Sequence, residues 1–191
     1  MYEHVLQAGR LATTSPQCSD LFLREPSRSD NISPGILVLA FGNSLRGDDG
    51  IGPAVLQALA NRNDLPQEIV LLEGDAWTMA SVLQSTCYRR VILVDAMEMG
   101  CPPGTWRRLC LDEHASYLRK ARQQADTHQL NLDTMLALLE LIGVALPEFI
   151  VYGVQPQTLD WSAGLSKGVR KIIPILCEQI LKDLKRMQFY G

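Results

Sequence analysis

The chain has 191 residues, of which 47% are apolar and 20% are charged, and its formal net charge is −3 at pH 7. This length and composition are typical of one globular domain with a sizeable core. The slightly acidic balance does not favour binding to nucleic acid or to an anionic membrane surface, and the sequence contains no run of about 18 apolar residues that would span a bilayer.

The amino terminus predicts a cytoplasmic location, because the first residues have neither the basic start nor the apolar core of a secretory signal. The five cysteines are scattered and form no CxxC pair. Their odd number and spacing argue against a disulfide framework and against a structural zinc site. We therefore expect reduced cysteines.

Residues 1–34 are predicted to form a weakly ordered N-terminal arm, within which residues 3–11 are compatible with a short helix. The arm ends in the polar stretch REPSRSDNISPG, where prolines and a glycine mark a boundary. Residues 35–191 are predicted to form the α/β domain.

The domain is predicted to alternate strands with helices. Apolar runs predict five strands, at 36–41, 69–73, 91–96, 105–111 and 149–154. Helices are predicted after the first strand and over 79–85, 131–143 and 166–187, and Pro174 must kink or restart the last of these because it lacks a backbone donor. This order predicts a three-layer α/β fold, with a twisted, mostly parallel sheet of about five strands and helices on both faces.

Three polar side chains at element ends are the main candidates for a functional site. Asp49, beside Asp48, lies in the glycine-rich turn after the first strand, Asp95 closes the third strand, and His128 precedes the helix over 131–143. Ligand sites in α/β folds gather at the carboxyl ends of parallel strands, so we expect these groups to converge. Two carboxylates and an imidazole would suit a divalent metal ion or proton transfer.

Each candidate also has a structural interpretation. We expect one of Asp48 and Asp49 to cap the following helix, since an aspartate before a helix accepts bonds from its free N–H groups. Asp95 would cap the following loop, and His128 would be a surface or capping residue. Two adjacent aspartates exceed what one cap requires and repel each other unless a cation is near.

Glu73 and Asp75 follow the second strand and are either additional carboxylates of the site or turn residues. Other chemistries have less support in the sequence. It contains no GxSxG nucleophile motif. A nucleotide-binding regulator is disfavoured because the acidic turn lacks the first glycine of GxGxxG.

Four segments resemble the motifs of the [NiFe]-hydrogenase maturation endopeptidases, in the same order and at similar spacing. They are FGNSLRGDDGIGP, VILVDAMEMGCPPGT, THQLNL and YGVQPQTLDWSAGLS. The resemblance runs from about residue 36 to 184. It implies an enzyme that hydrolyses a peptide bond, of the aspartyl-type endopeptidase class, acting on a hydrogenase large-subunit precursor whose C-terminal extension it removes after nickel insertion.

The resemblance also implies that Asp49, Asp95 and His128 form the metal-binding and catalytic set. The nickel would be supplied by the precursor, so we expect no permanent cofactor. Either the metal activates a bound water and the scissile carbonyl, or a carboxylate acts as general base. Many members of the family carry Glu at the position of Asp49, and EGDAWT replaces their common DGGT.

Two alternatives remain open at this stage. One is a non-catalytic, nickel-sensing chaperone of the large subunit, and the other is a peptidase with its own permanently bound metal. Because no long apolar stripe is left over for a partner, we expect a monomer.

Overall fold

The structure, a computed structural model, is described here for most of the chain from Gly35 onward and for two short segments before it. The described residues are 5–7, 10–11, 35–66, 68–85, 88–111, 136–137, 139, 141–144 and 146–189.

Among the residues that the structure describes, seven strands form one mixed sheet. They are β1 (Val5–Gln7), β2 (Arg10–Leu11), β3 (Ile36–Ala40), β4 (Ile69–Glu73), β5 (Arg90–Ala96), β6 (Trp106–Leu111) and β7 (Glu148–Val154). The last five are the five strands predicted from the apolar runs. The two short additional strands are formed where a helix over residues 3–11 was expected, so that expectation is wrong.

The strand order is β2-β1-β4-β3-β5-β7-β6. Strands β4, β3, β5 and β7 run parallel, whereas β6 pairs antiparallel with β7, and β1 pairs antiparallel with β4 and β2. The chain leaves β3 for β4 on one side and then crosses to β5 on the other. This reversal creates a crevice at the carboxyl ends of β3 and β5, which is where α/β sheets bind ligands.

Helices cover both faces of the sheet, as predicted. They are α1 (Ile51–Ala60), α2 (Ala76–Ser85), α3 (Lys167–Arg170) and α4 (Ile173–Phe189), together with the helical residues 136, 137, 139 and 141. The predicted helix over 166–187 is interrupted at 171–172 and restarts at Ile173. Pro174 then lies in the first turn of α4. Backbone N–H groups there have no intrahelical acceptor, so the absence of an N–H in proline removes no helical hydrogen bond.

Two apolar cores lie on opposite faces of the central strands, because successive side chains of a strand point to opposite sides. Val38, Ile92 and Ile150 pack with α1 and α4. Leu39 and Leu93 pack with α2 and with the helical residues 136, 137 and 139. Both faces of the parallel strands are therefore covered, which explains their continuous apolar runs.

One polar cluster fastens the antiparallel edge of the sheet to α4. Asp183, only 7% exposed, accepts a hydrogen bond from the Tyr152 hydroxyl at 2.7 Å and from Arg108 Nε at 2.6 Å. The buried carboxylate is thus paired with a cation and a hydroxyl, as a charge removed from water requires. Within the described residues, no helix is both long and apolar enough to cross a membrane.

Candidate active site

The turn after β3 is built so that Asp49 is held in one position. Asn43 N donates to Asp49 Oδ2 at 2.9 Å, and Asp49 N donates to Arg46 O at 3.1 Å. Gly42 has φ +122° and lies where a Cβ would collide with the backbone carbonyl of Asp49. Glycine is required here because both the positive φ and the close approach exclude a side chain.

Helix α1 begins directly over the carboxyl ends of β3 and β5. A Cβ on Gly52 would collide with the Phe41 carbonyl oxygen and lie 2.8 Å from the Val94 carbonyl oxygen. Phe41 N also donates to Val94 O at 3.0 Å. The absence of a side chain at Gly52 therefore lets the turn carrying Asp49 settle against the strand that carries Asp95.

Asp95 lies near the end of β5, paired in register with Gly153 of β7. Burial raises its pKa to about 7, and the negative charge of Asp49 adds to the increase. The backbone N–H of Ala96 opposes the shift without cancelling it. The two carboxylates predicted to converge are thus within electrostatic reach of each other at the crevice.

This acid pair can hold a proton near neutral pH. A carboxyl whose pKa is close to 7 can accept a proton from water or release one within the physiological range. A cation placed between the two carboxylates would displace that proton and relieve the repulsion. The geometry therefore suits proton transfer, cation binding, or both.

Asp48 is not part of this pair but a fully buried anchor. Its side chain accepts hydrogen bonds from Gln157 N at 2.8 Å and from Ser166 N at 2.6 Å, and its own N–H donates to Thr158 O at 3.0 Å. The carboxylate thereby joins the turn after β3 to the loop over 155–166. Asp48 and Asp49 are neighbours in sequence with separate roles.

The expectation that one of these two aspartates caps α1 is wrong. The N-cap of α1 is Gly50, which has no side-chain capping bond. Asp48 and Asp49 instead bond to backbone N–H groups of Gln157, Ser166 and Asn43. Tertiary and turn contacts thus replace the local cap.

The sequence left open whether Asp75 is a carboxylate of the site or a turn residue, and in the structure it has a structural role. Its Oδ1 accepts from Thr78 N at 2.8 Å and from Thr78 Oγ1 at 2.9 Å. This is an N-cap at the start of α2. Glu73 is exposed at the end of β4, paired in register with Ala40.

Gln155 organises the loop that follows Asp95. Its buried amide oxygen accepts from Met99 N at 2.7 Å and from Cys101 N at 3.3 Å. Its amide nitrogen donates to Glu98 Oε2 at 2.8 Å. One side chain at the end of β7 thus fixes the chain leaving β5.

His128 lies outside the described residues, so its predicted place in the site stays a prediction. The same holds for the other two histidines, His4 and His114. Among the residues that the structure does describe, no group of three or more His, Cys, Asp or Glu side chains is arranged to hold a metal ion.

The roles of Asp48 and Gln155 were missed by reasoning from the sequence. The signal for Asp48 was present, since two adjacent aspartates in one turn exceed the needs of a cap, but its partners lie more than 100 residues away. Gln155 stood in the motif segment YGVQPQTLDWSAGLS, and its contacts with the loop after β5 depend on strand pairing.

This chain resembles in sequence known proteins that are involved in hydrogenase maturation or formation. The sequence model of the hydrogenase maturation protease family matches residues 53–183. The chain is 32% identical to the hydrogenase expression/formation protein HupD of Thiocapsa roseopersicina, over 82% of this chain and 69% of that protein. It is 31% identical to the hydrogenase 2 maturation protease of Escherichia coli strain K12, over 78% of this chain and 90% of that protein.

Similarity of fold extends to solved structures. The hydrogenase maturating endopeptidase HybD from Escherichia coli superposes with a TM-score of 0.63 at 28% sequence identity. The superposition covers 80% of this chain and 93% of that one.

Proposed function

Because the chain belongs to the hydrogenase maturation protease family and is therefore a peptidase, we propose that it removes the C-terminal extension of a [NiFe]-hydrogenase large-subunit precursor. The observation that carries this proposal is the pair Asp49 and Asp95 at the crevice between β3 and β5. Burial and mutual repulsion raise the pKa of Asp95 to about 7, as peptide hydrolysis at neutral pH requires of a proton acceptor.

Nickel enters the proposal as part of the substrate. The ion already held by the precursor docks against Asp49, Asp95 and His128, whose oxygen and nitrogen ligands suit a borderline divalent cation. The enzyme then needs no permanent metal of its own, and cleavage is restricted to precursors that have received their nickel.

The inclusion of His128 is supported by the helix that follows it in sequence. The helical residues Leu136, Ala137 and Leu139 pack on the same face of the sheet as Leu93. Asp95 has the same parity as Leu93 along β5 and so belongs to that face. The chain therefore reaches Leu136 on the side of the sheet where the half-buried carboxylate of Asp95 lies.

Hydrolysis requires a water oxygen to attack the scissile carbonyl carbon while the amide nitrogen leaves with a proton. We propose that Asp95 contacts the precursor's cation with one carboxylate oxygen, and with the other takes the proton from the attacking water and returns it to the leaving nitrogen. Asp49 helps to hold the cation. The competing route, in which the cation itself activates the water, uses the same three residues as ligands.

The test is a cleavage assay with a nickel-loaded large-subunit precursor and with the same precursor lacking nickel. We expect wild-type protein to release the C-terminal peptide only from the nickel-loaded form. Asp95→Asn, Asp49→Asn and His128→Ala should each reduce kcat by about 100-fold or more. Glu73→Gln, an exposed carboxylate at the end of the neighbouring strand, is the matched control and should cleave normally.

Other outcomes separate the alternatives. Nickel-dependent complex formation without any peptide release would indicate a chaperone. Stoichiometric metal in the purified protein, together with cleavage of nickel-free precursor, would indicate a peptidase with its own metal. Equal cleavage by wild type and His128→Ala would remove the histidine from the essential set.

The proposal includes a cytoplasmic monomer. Light scattering behind size-exclusion chromatography should give a mass near the 21.2 kDa of a single chain. A mass twice as large would contradict it.

A further inference from the structure

Two large apolar side chains are exposed on the loops that flank the acid pair. Leu45 is 63% exposed and Trp161 is 76% exposed. Leu45 lies four residues before Asp49 in the same turn. Trp161 lies in the loop over 155–166 that Asp48 fastens to this turn.

Hydrogen bonds join the two loops, so the exposed side chains of Leu45 and Trp161 lie on one fixed surface. Arg46 and Ser162 form an isolated parallel bridge, with Gly47 N donating to Ser162 O at 2.9 Å and Ser162 N donating to Leu45 O at 3.1 Å. The buried carboxylate of Asp48 adds two further bonds to the same loop. The backbone carrying Leu45 and Trp161 is thereby held relative to Asp49.

Arg46 follows Leu45 in the sequence and contacts the ring of Trp161. Its guanidinium carbon is 6.0 Å from the centre of the Trp161 ring, within the range of a cation–π contact. Its Nε is buried without a hydrogen-bond partner among the described residues.

We propose that Leu45, Arg46 and Trp161 form the platform that binds the precursor polypeptide beside the scissile bond, and that it accepts an apolar side chain of an extended segment. This inference rests on the proposed function. A peptidase must hold a polypeptide across its catalytic carboxylates, and this platform is joined to the turn that carries Asp49. Exposed aromatic and arginine side chains are the types that contribute most to binding polypeptides.

The test compares exposed residues of the same type at two places in the molecule. Trp161→Ala is paired with Trp77→Ala, whose side chain is 61% exposed on α2. Leu45→Ala is paired with Leu141→Ala, whose side chain is 70% exposed. With nickel-loaded precursor, the two platform variants should raise KM about tenfold or more with kcat within about twofold, and the two controls should match wild type.

A second readout does not depend on cleavage. Addition of the precursor should shift the tryptophan emission to shorter wavelength in wild type and in Trp77→Phe, and the shift should be lost in Trp161→Phe. Unchanged thermal unfolding of the variants would show that the fold is intact, as expected for exposed side chains.

The outcomes distinguish this inference from the proposed function. Normal KM in both platform variants, with active wild type, overturns the platform and leaves the peptidase function standing. A Trp161-dependent emission shift without any peptide release supports the platform and overturns the proposed cleavage. A fall in kcat at unchanged KM overturns the binding role, and absence of both shift and cleavage overturns both proposals.

Discussion

Asp95 must lose a proton before it can bind a cation or act as a base, and its position makes that loss costly. The side chain is half-buried at the end of β5, near the charge of Asp49, and its pKa is raised to about 7. An ordinary aspartate has a pKa near 3.8. Between these two pH values the unfolded chain has released the proton while the folded protein still holds it.

This difference predicts that stability falls as pH rises from about 4 to about 7, because the unfolded state then binds fewer protons than the folded state. Asp95→Asn removes the titrating group. With a chelator present, its free energy of unfolding should equal that of wild type near pH 4 and exceed it at pH 8 by on the order of 1 to 4 kcal/mol. Urea unfolding from pH 4 to 8 measures this, and a difference that does not change with pH would contradict it.

Asp48, in contrast to Asp95, is a buried carboxylate that stabilises the fold through its hydrogen bonds. Its two short bonds to Gln157 N and Ser166 N hold one loop against the turn that carries Asp49. Asp48→Ala should lower the free energy of unfolding by about 2 to 4 kcal/mol, since charge-assisted bonds are lost. Asp48→Asn should lose less, because one amide oxygen still accepts.

The exposed Asp160 on the same loop provides the comparison for Asp48, and Asp160→Asn should change stability by no more than about 0.5 kcal/mol. Both Asp48 variants should also cleave more slowly at temperatures where they remain folded, since the turn that carries Asp49 is then held less firmly against the loop over 155–166. Equal stability of Asp48→Ala and Asp160→Asn in urea unfolding would show that the anchor is unimportant.

At the scale of elements, the site depends on how closely α1 approaches the sheet. Gly52, in the first turn of α1, contacts carbonyl groups of Phe41 and Val94 so closely that no Cβ fits. Helix-preferring residues would stabilise an isolated helix at this position. The close packing of Gly52 against the end of the sheet excludes such residues here.

Gly52→Ala should therefore move α1 and destabilise the protein by about 2 kcal/mol or more, with a parallel loss of activity. Gly168→Ala is the matched control, because the nearest atom to its Cβ, Pro103 O, is 3.7 Å away and the residue lies in α3. It should be neutral or stabilising by up to about 1 kcal/mol. Thermal unfolding of both variants checks the contrast, and similar melting temperatures would contradict the packing argument.

At the scale of the whole molecule, both cores are formed, within the part of the chain that the structure describes, by residues from Ile36 onward, while residues 5–7 of the predicted arm pair with β4. The division into an arm over 1–34 and a domain over 35–191 stays a prediction. It can be tested by removing the arm, since an uncovered β4 becomes an exposed edge strand.

Deletion of residues 1–34 should leave one cooperative unfolding transition and the secondary structure of the domain. The truncated protein should associate more than the full chain at high concentration, because the edge of β4 then offers unpaired backbone groups. Light scattering and circular dichroism measure the two effects. Loss of the cooperative transition would show that the arm is an integral part of the domain.

The sequence alone predicted the order of the elements from residue 36 onward and the positions of the two candidate carboxylates, Asp49 and Asp95. Strands β3, β4 and β5 were predictable because side chains buried on both faces give continuous apolar runs. Asp49 and Asp95 were predictable because each follows or ends such a run, and strand ends of a parallel sheet share one edge. The family motifs added the activity.

Features that depend on residues distant in sequence could be identified only from the folded structure. The elevated pKa of Asp95 requires burial and the nearby charge of Asp49, and the role of Asp48 requires backbone groups more than 100 residues away. The platform of Leu45 and Trp161 exists because a bridge joins two loops. Local patterns encode which face of an element is apolar, whereas desolvation, charge proximity and loop pairing arise only once the chain has folded.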